Sequence, residues 1–162
     1  MLNETIHGEL NRQLNMELGA SHTYLAMAGY FEGRTLPGFA HWFMVQSKEE
    51  REHALRIYKY LNDRGASISL SALPEPQNEY ASPLAVVEAA LEHEKKVTAS
   101  IHSIYKQAGE HQDYATQSLL KWYIDEQVEE EKNADELIQR LKLVGSDGMG
   151  LFMLDNELAR RG

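Results

Sequence analysis

The chain has 162 residues, the length of one ordinary domain, so the sequence predicts a single domain spanning residues 1–162. Its 16 basic and 25 acidic side chains leave a net charge of −9, which repels phosphate backbones, so nucleic acid is not an expected partner. The absence of cysteine excludes disulfides and thiolate chemistry, so any metal must be bound by oxygen and imidazole ligands. No signal peptide opens the chain and no apolar run approaches the roughly 18 residues of a membrane span, so we expect a cytoplasmic protein without a membrane partner.

Sparse glycines and prolines divide the chain into five predicted helices. The first four form a bundle over about residues 3–145, and a short C-terminal helix follows at about 147–161. Their expected bounds, in chain order, are Asn3–Phe31, Phe39–Arg64, Ser82–Gly109, Asp113–Gly145 and Met149–Arg161. Strand alternation appears nowhere at length, so the expected class is all-α.

The connection between the second and third helices, residues 66–82, is long and has no helical period. At 1.5 Å per residue the second helix is about 39 Å long, whereas 17 extended residues reach about 56 Å. The connection can therefore run the full length of the bundle. This predicts parallel second and third helices joined by one long crossover.

Each of the four long helices carries a glutamate near the middle of its inward-facing stripe, and in chain order these are Glu17, Glu50, Glu94 and Glu130. For the third helix the predicted stripe is Leu84, Val87, Leu91, Glu94, Thr98, Ile101 and Tyr105. Polar residues at intervals of 33 and 36 residues also occur once in each half of the chain. The two series are Glu17, Glu50 and His53, and Glu94, Gln127 and Glu130. The matched intervals predict a pseudo-twofold bundle built from two helix pairs.

Four carboxylates facing one another in a core cost several kcal/mol each unless they are neutralised. No lysine or arginine lies on the stripes at this level, so the candidates are protons, with raised pKa values, or bound cations. A Glu from each of two helices and a Glu-x-x-His from the others is the ligand set of bundle di-iron proteins, here with one residue altered. Oxygen ligands with one imidazole suit iron or manganese. The alternative is a metal-free helical interaction module, which predicts that Glu50→Ala stabilises the fold.

Over essentially its whole length the sequence resembles the bacterial non-haem ferritins. The motifs that carry the resemblance are Asn15–Leu18 with Tyr24, Lys48–Ala54, Glu94 and Asp125–Glu131. The resemblance implies a ferritin-like four-helix bundle with a short fifth helix, assembled into a hollow 24-subunit homo-oligomer. It also implies a ferroxidase that oxidises Fe(II) with O₂ or H₂O₂ and stores ferric mineral.

The resemblance also implies a role for individual residues. Glu17, Glu50 and His53 would bind one iron, and Glu50 would bridge to a second iron bound by Glu94 and Glu130. Gln127 and Tyr24 would lie beside the two irons. Gln127 would hold a water molecule or bind the metal itself, and Tyr24 would supply a hydrogen bond or a further electron. A third iron site facing the cavity would use Glu49, Glu126 and Glu129 together with Glu130.

The sequence departs from two related groups. Bacterioferritins and bundle oxygenases have a second Glu-x-x-His where this chain has Gln127 and Glu130, so one iron should be more labile. Bacterioferritins also use a methionine just before the first histidine for haem, and here Arg51 and Glu52 occupy that stretch, so haem is not expected. A di-iron oxygenase, a rubrerythrin-like peroxidase and a DNA-protecting mini-ferritin are the less favoured alternatives, because the first two need further ligands and the last lacks a fifth helix.

Overall fold

The computed structural model describes residues 1–162 and contains five helices and no strand. The helices are α1 (Glu4–Glu32), α2 (Pro37–Asp63), α3 (Pro83–Glu110), α4 (Tyr114–Val144) and α5 (Gly148–Leu158). The predicted all-α class and the number of helices are confirmed, with small errors in the bounds. α2 starts at Pro37, two residues before the predicted Phe39, because the fixed φ of proline suits a first helical position. α5 ends at Leu158, three residues before the predicted Arg161. None of the five combines the length and the apolarity that crossing a bilayer requires.

Four of the five helices begin with a side chain that accepts hydrogen bonds from the first turn, namely Asn3, Ser82, Asp113 and Asp147. α2 has no such cap of its own. Instead Asp155 Oδ1, from α5, accepts a hydrogen bond from the backbone N–H of Phe39 at 2.9 Å. A Cβ added to Gly38 would lie 1.7 Å from the carbonyl oxygen of Asp155. α5 is therefore seated directly on the first turn of α2.

The crossover between α2 and α3, residues 64–82, runs along α1 from one end of the bundle to the other. Near its start its backbone is hydrogen-bonded by the side-chain amides of Asn11 and Asn15. Near its end Tyr80 packs edge-on against Tyr30, with ring centroids 5.6 Å apart. α3 therefore begins at the end of the bundle where α2 begins, so the predicted parallel arrangement of these two helices is confirmed.

A polar layer divides the core into two apolar clusters. The cluster beside α5 includes the stacked rings of Phe31, Phe39 and Phe43, and the other includes Ile57 and Ile101. The buried polar residues between them are Gln13, Glu17, Gln46, Glu50, His53, Glu94, Gln127 and Glu130. The apolar clusters thus hold the four helices together on both sides of the polar residues.

The face that α3 buries is wider than the predicted stripe and is rotated from it. Leu84, Leu91, Thr98 and Tyr105 are only half-buried, so they lie at the edge of the core and not inside it as predicted. The residues that α3 buries are Val86, Val87, Ala90, Glu94, Val97, Ile101, Ile104 and Ala108. The reason is that α3 packs against both α1 and α4, and small side chains occupy the places where the helices approach closely.

Candidate metal centre

Three side chains from two helices converge at mid-bundle: Glu17 of α1 and Glu50 and His53 of α2. One potential ligand atom from each lies within 4.8 Å of the others, and the three side chains are almost completely buried. Glu17 Oε2, Glu50 Oε1 and His53 Nδ1 have no hydrogen-bond partner. Because buried polar atoms are nearly always paired in folded proteins, an unpaired polar atom on each of three grouped side chains fits a bound cation.

A second group adjoins the first and is made of Glu50, Glu94 and Glu130. Its ligand atoms also lie within 4.8 Å of one another, and all three residues are buried. Glu50 belongs to both groups, so its carboxylate stands where it could bridge two ions. The structure thus brings together the five residues that the sequence suggested as ligands of a dinuclear centre.

The four buried carboxyl groups of this layer all have raised pKa values. Burial, with the repulsion of neighbouring carboxylates, raises the pKa of Glu17 and Glu50 far above the ordinary value. Burial also raises the pKa of Glu94, and burial and the charge of Glu94 raise the pKa of Glu130 to about 7. A cation bound in this layer would favour the ionised carboxylates and release protons.

Three glutamines, each on the inward face of its helix, donate a side-chain hydrogen bond to one of these carboxylates. The pairs are Gln13 to Glu17 (2.8 Å), Gln46 to Glu130 (2.5 Å) and Gln127 to Glu94 (3.0 Å). Each amide occupies one carboxylate oxygen and thereby orients the other. The sequence predicted a role only for Gln127. Gln13 and Gln46 each lie one helical turn before an inward-facing glutamate, Glu17 and Glu50, and that spacing was the available indication that they face the same layer.

Tyr24 lies against the same layer. Its hydroxyl donates a hydrogen bond to Glu94 Oε1, and burial, with the neighbouring charge of Glu94, raises the pKa of the phenol well above its usual value. Its ring packs between Phe43 and His93, with centroids 6.0 and 5.9 Å away. Tyr24 therefore donates to one carboxylate oxygen of Glu94, and Gln127 donates to the other.

The imidazole of His53 is oriented by aromatic neighbours on α4. Its ring meets Trp122 and Tyr123 edge-on, at centroid distances of 5.3 and 6.0 Å. The Tyr123 hydroxyl also donates a hydrogen bond to the carbonyl oxygen of His53 at 2.6 Å. These contacts hold the ring so that Nδ1 lies 3.6 Å from Glu50 Oε2.

Comparison with known proteins places this arrangement in a family. Residues 8–144 match the ferritin-like domain. The chain belongs to the ferritin family. The bacterial non-heme ferritin of Staphylococcus saprophyticus is 40% identical over 161 residues, which cover 99% of this chain and 96% of the relative. A bacterial non-heme ferritin of Staphylococcus aureus is 39% identical and is covered to 97% of its length.

Solved structures of ferritins have the same fold. An open-pore ferritin from the hyperthermophilic archaeon Archaeoglobus fulgidus superposes with a TM-score of 0.98 and 41% identity, covering 99% of this chain and 98% of the relative. A humanized archaeal ferritin gives 0.99 and 40%, covering 100% and 98%. The predicted ferritin-like bundle with a short C-terminal helix is confirmed, and with it the resemblance to bacterial non-haem ferritins.

In this ferritin an acidic pocket opens beside the polar layer, and its wall includes the suggested third-site residues Glu49, Glu126 and Glu129. Glu126 shares a group with His53 and Glu130, whose ligand atoms lie within 4.8 Å of one another. Glu49 and Glu129 belong to no group of that kind. The four suggested residues of the third site thus share one pocket, with only two of them at ligand distance.

Two basic residues, Arg56 and Arg161, also line this pocket, and the sequence predicted neither of them there. Glu49 Oε2 accepts a hydrogen bond from Arg161 Nη2 at 2.6 Å, across 112 positions of the chain. The stripes themselves hold no basic residue at this level, as expected. Arg161 lies beyond the last helix, which ends at Leu158 and not at Arg161 as the sequence predicted, so the predicted helix did not indicate this contact.

Proposed function

We propose that this ferritin stores iron and is a ferroxidase, with Fe(II) as its substrate. Glu17, Glu50 and His53 bind one ferrous ion, and Glu50 bridges to a second ion bound by Glu94 and Glu130. The observation that carries the proposal is a group of three buried side chains, each with an unpaired polar atom and with ligand atoms within 4.8 Å of one another, that shares Glu50 with a second group. Such a layer is costly without cations and becomes favourable when they bind.

The reaction balances with two ferrous ions and one oxidant molecule. Each Fe(II) gives one electron, so O₂ with two protons becomes H₂O₂, or H₂O₂ with two protons becomes two waters. The carboxylates contribute by stabilising the higher charge of Fe(III). Protons released from the carboxyl groups with raised pKa values when the ions bind are available for this reduction.

The two ions are held unequally. The first is bound by an imidazole and two carboxylates, whereas the second has carboxylates only, because Gln127 donates its amide hydrogen to Glu94. The second ion therefore leaves more readily, which suits a site that passes iron on. We assign the adjoining pocket to a third ion, bound by Glu49, Glu126 and Glu129 with Glu130, on the path from the centre to the store.

The proposal includes a hollow shell of 24 copies in the cytoplasm, into which the ferric product is deposited. Three large apolar side chains of α5, Met149, Phe152 and Met153, are more than half exposed, which favours contact between copies through this helix. The mass of the purified protein in solution, from light scattering, tests the assembly independently of the chemistry.

The test of the chemistry is an anaerobic titration of the iron-free protein with Fe(II), followed by mixing with oxygen and recording the ferric absorbance. We expect tight binding of about two Fe(II) per chain and a fast oxidation phase that saturates at the same ratio. His53→Ala should remove the fast phase, whereas His22→Ala, an exposed histidine on α1, should keep it. Oxidation no faster than in buffer, without tight binding, would contradict the proposal.

A further inference from the structure

The last residues of the chain fold back onto the wall of the acidic pocket. The guanidinium of Arg161 lies 4.5 Å from the ring centroid of Trp42, and its Nη1 donates a hydrogen bond to the Trp42 carbonyl oxygen at 3.2 Å. The carbonyl oxygen of Arg161 is 2.6 Å from Nε2 of His41. Both the backbone and the side chain of Arg161 are therefore held against the first half of α2.

The other edge of the guanidinium faces two residues on the site side of α2. Nη2 donates hydrogen bonds to Glu49 Oε2 at 2.6 Å and to Gln46 Oε1 at 3.0 Å. Gln46 in turn donates from Nε2 to Glu130 Oε2 at 2.5 Å. Because its oxygen is bound by Arg161, the Gln46 amide is fixed with its nitrogen towards Glu130. Arg161 thus acts on two carboxylates, directly on Glu49 and through Gln46 on Glu130.

We propose that Arg161 is a positioning residue for the dinuclear centre and, at the same time, the counter-cation of Glu49 in the adjoining pocket, whose wall also includes Arg56. It orients Glu130 through Gln46, and its pairing with Glu49 means that a metal ion that takes Glu49 as a ligand has to displace it. The inference rests on the proposed ferroxidase function and assigns a specific role to the C-terminus. A planar guanidinium is required, because Nη1 donates to the Trp42 carbonyl oxygen while Nη2 donates to Glu49 and Gln46, and an ammonium has only one nitrogen for all three acceptors.

Two opposite effects of removing the guanidinium distinguish this role from simple anchoring of the C-terminus. Freeing Glu49 gives a metal ion in the pocket a further ligand and removes a competing positive charge, so binding there becomes tighter. Releasing Gln46 lets Glu130 adopt other orientations, so binding at the dinuclear centre becomes weaker. An anchor alone, on loss, would weaken both sites or neither.

The test is anaerobic calorimetric titration of the full-length iron-free protein with Fe(II), comparing Arg161→Gln with Arg160→Gln. Arg160 is exposed and makes no contact with the pocket, so its variant has the same change in charge. For Arg161→Gln we expect pocket binding to tighten about fivefold, the magnitude of a part-exposed ion pair, and the dinuclear centre to weaken about tenfold, the lower end of the range for losing a group that orients a metal ligand. For Arg160→Gln both should match the wild type.

Two further variants separate the contacts. Gln46→Met removes the donor to Glu130 but keeps the Arg161–Glu49 pair, so only the dinuclear centre should weaken. Arg161→Lys keeps the charge near Glu49 and loses the fork, so the dinuclear centre should weaken without tighter binding in the pocket. Melting temperatures recorded alongside identify any variant whose fold is damaged.

Identical isotherms for Arg161→Gln and Arg160→Gln, with tight wild-type binding intact, would overturn the inference and leave the proposed function standing. Weakening of both sites in Arg161→Gln, together with a lower melting temperature, would reduce Arg161 to an anchor and also overturn it. An absence of tight Fe(II) binding in the wild type would instead overturn the proposed function, and the inference with it.

Discussion

We predict that the iron-free protein loses stability as the pH rises through neutrality, because Glu130 is buried among other carboxyl groups. Burial and the charge of Glu94 raise its pKa to about 7, from the ordinary 4.5. Between these two values the folded state binds more protons than the unfolded state, so the free energy of unfolding falls as the pH rises. The favourable contribution is complete below about 4.5 and is lost above about 7.

The magnitude follows from the two pKa values of Glu130. At about 1.36 kcal/mol per pH unit, the gap between 4.5 and about 7 corresponds to about 3 kcal/mol. Glu130→Gln removes the charge, keeps the shape and leaves an oxygen that still accepts the hydrogen bond from Gln46. We therefore expect this variant, without iron, to be more stable than the wild type by up to about 3 kcal/mol near pH 8, and little different near pH 5.

Guanidinium unfolding of chelator-treated protein at several pH values between about 5 and 8 measures this difference. The matched control is Glu136→Gln, which has the same change in charge on the same helix at a side chain that is 59% exposed. Its stability should stay within about 0.5 kcal/mol of the wild type. A wild-type stability that is flat or rises over this range, or equal effects of the two substitutions near pH 8, would contradict the raised pKa of Glu130.

Two further predictions concern the seat of α5 and the hydrogen bond to Glu94. Gly38→Ala places a Cβ 1.7 Å from the backbone oxygen of Asp155, so α5 has to move, and we expect denaturant unfolding to show a loss of about 1–3 kcal/mol. Tyr24→Phe deletes the hydroxyl that donates to Glu94, so anaerobic Fe(II) titration should show roughly tenfold weaker binding of the second ion, with helix content unchanged in circular dichroism.

Each of these two predictions has a control in the chain. Gly29→Ala adds a Cβ that meets nothing within 4 Å inside α1, so it should raise stability by about 0.5–1 kcal/mol. If Gly38→Ala behaves in the same way, the contact with α5 does not constrain the fold. Tyr105→Phe changes a half-buried tyrosine of α3 whose hydroxyl makes no hydrogen bond. Equal Fe(II) affinities of the two tyrosine variants would contradict the role of the Tyr24 hydroxyl.

Most of the fold and the composition of the centre could be predicted from local patterns. Helical periodicity is a property of neighbouring residues, so it placed Glu17, Glu50 and His53 on inward faces without knowledge of the partner helices. The cost of burying such acids together then indicated a cation. Chain length alone indicated the crossover, because 17 extended residues are enough to span a helix of about 39 Å.

The contacts between helices depend on the tertiary structure and could not be predicted from local patterns. The rotation of α3 depends on its simultaneous packing against α1 and α4, which the sequence of α3 alone does not specify. The hydrogen bonds of Gln46 to Glu130 and of Arg161 to Glu49 join residues 84 and 112 positions apart. Such contacts form only when the helices dock and the C-terminus folds back. No local period encodes them, because their energy comes from partners that are far apart in the chain.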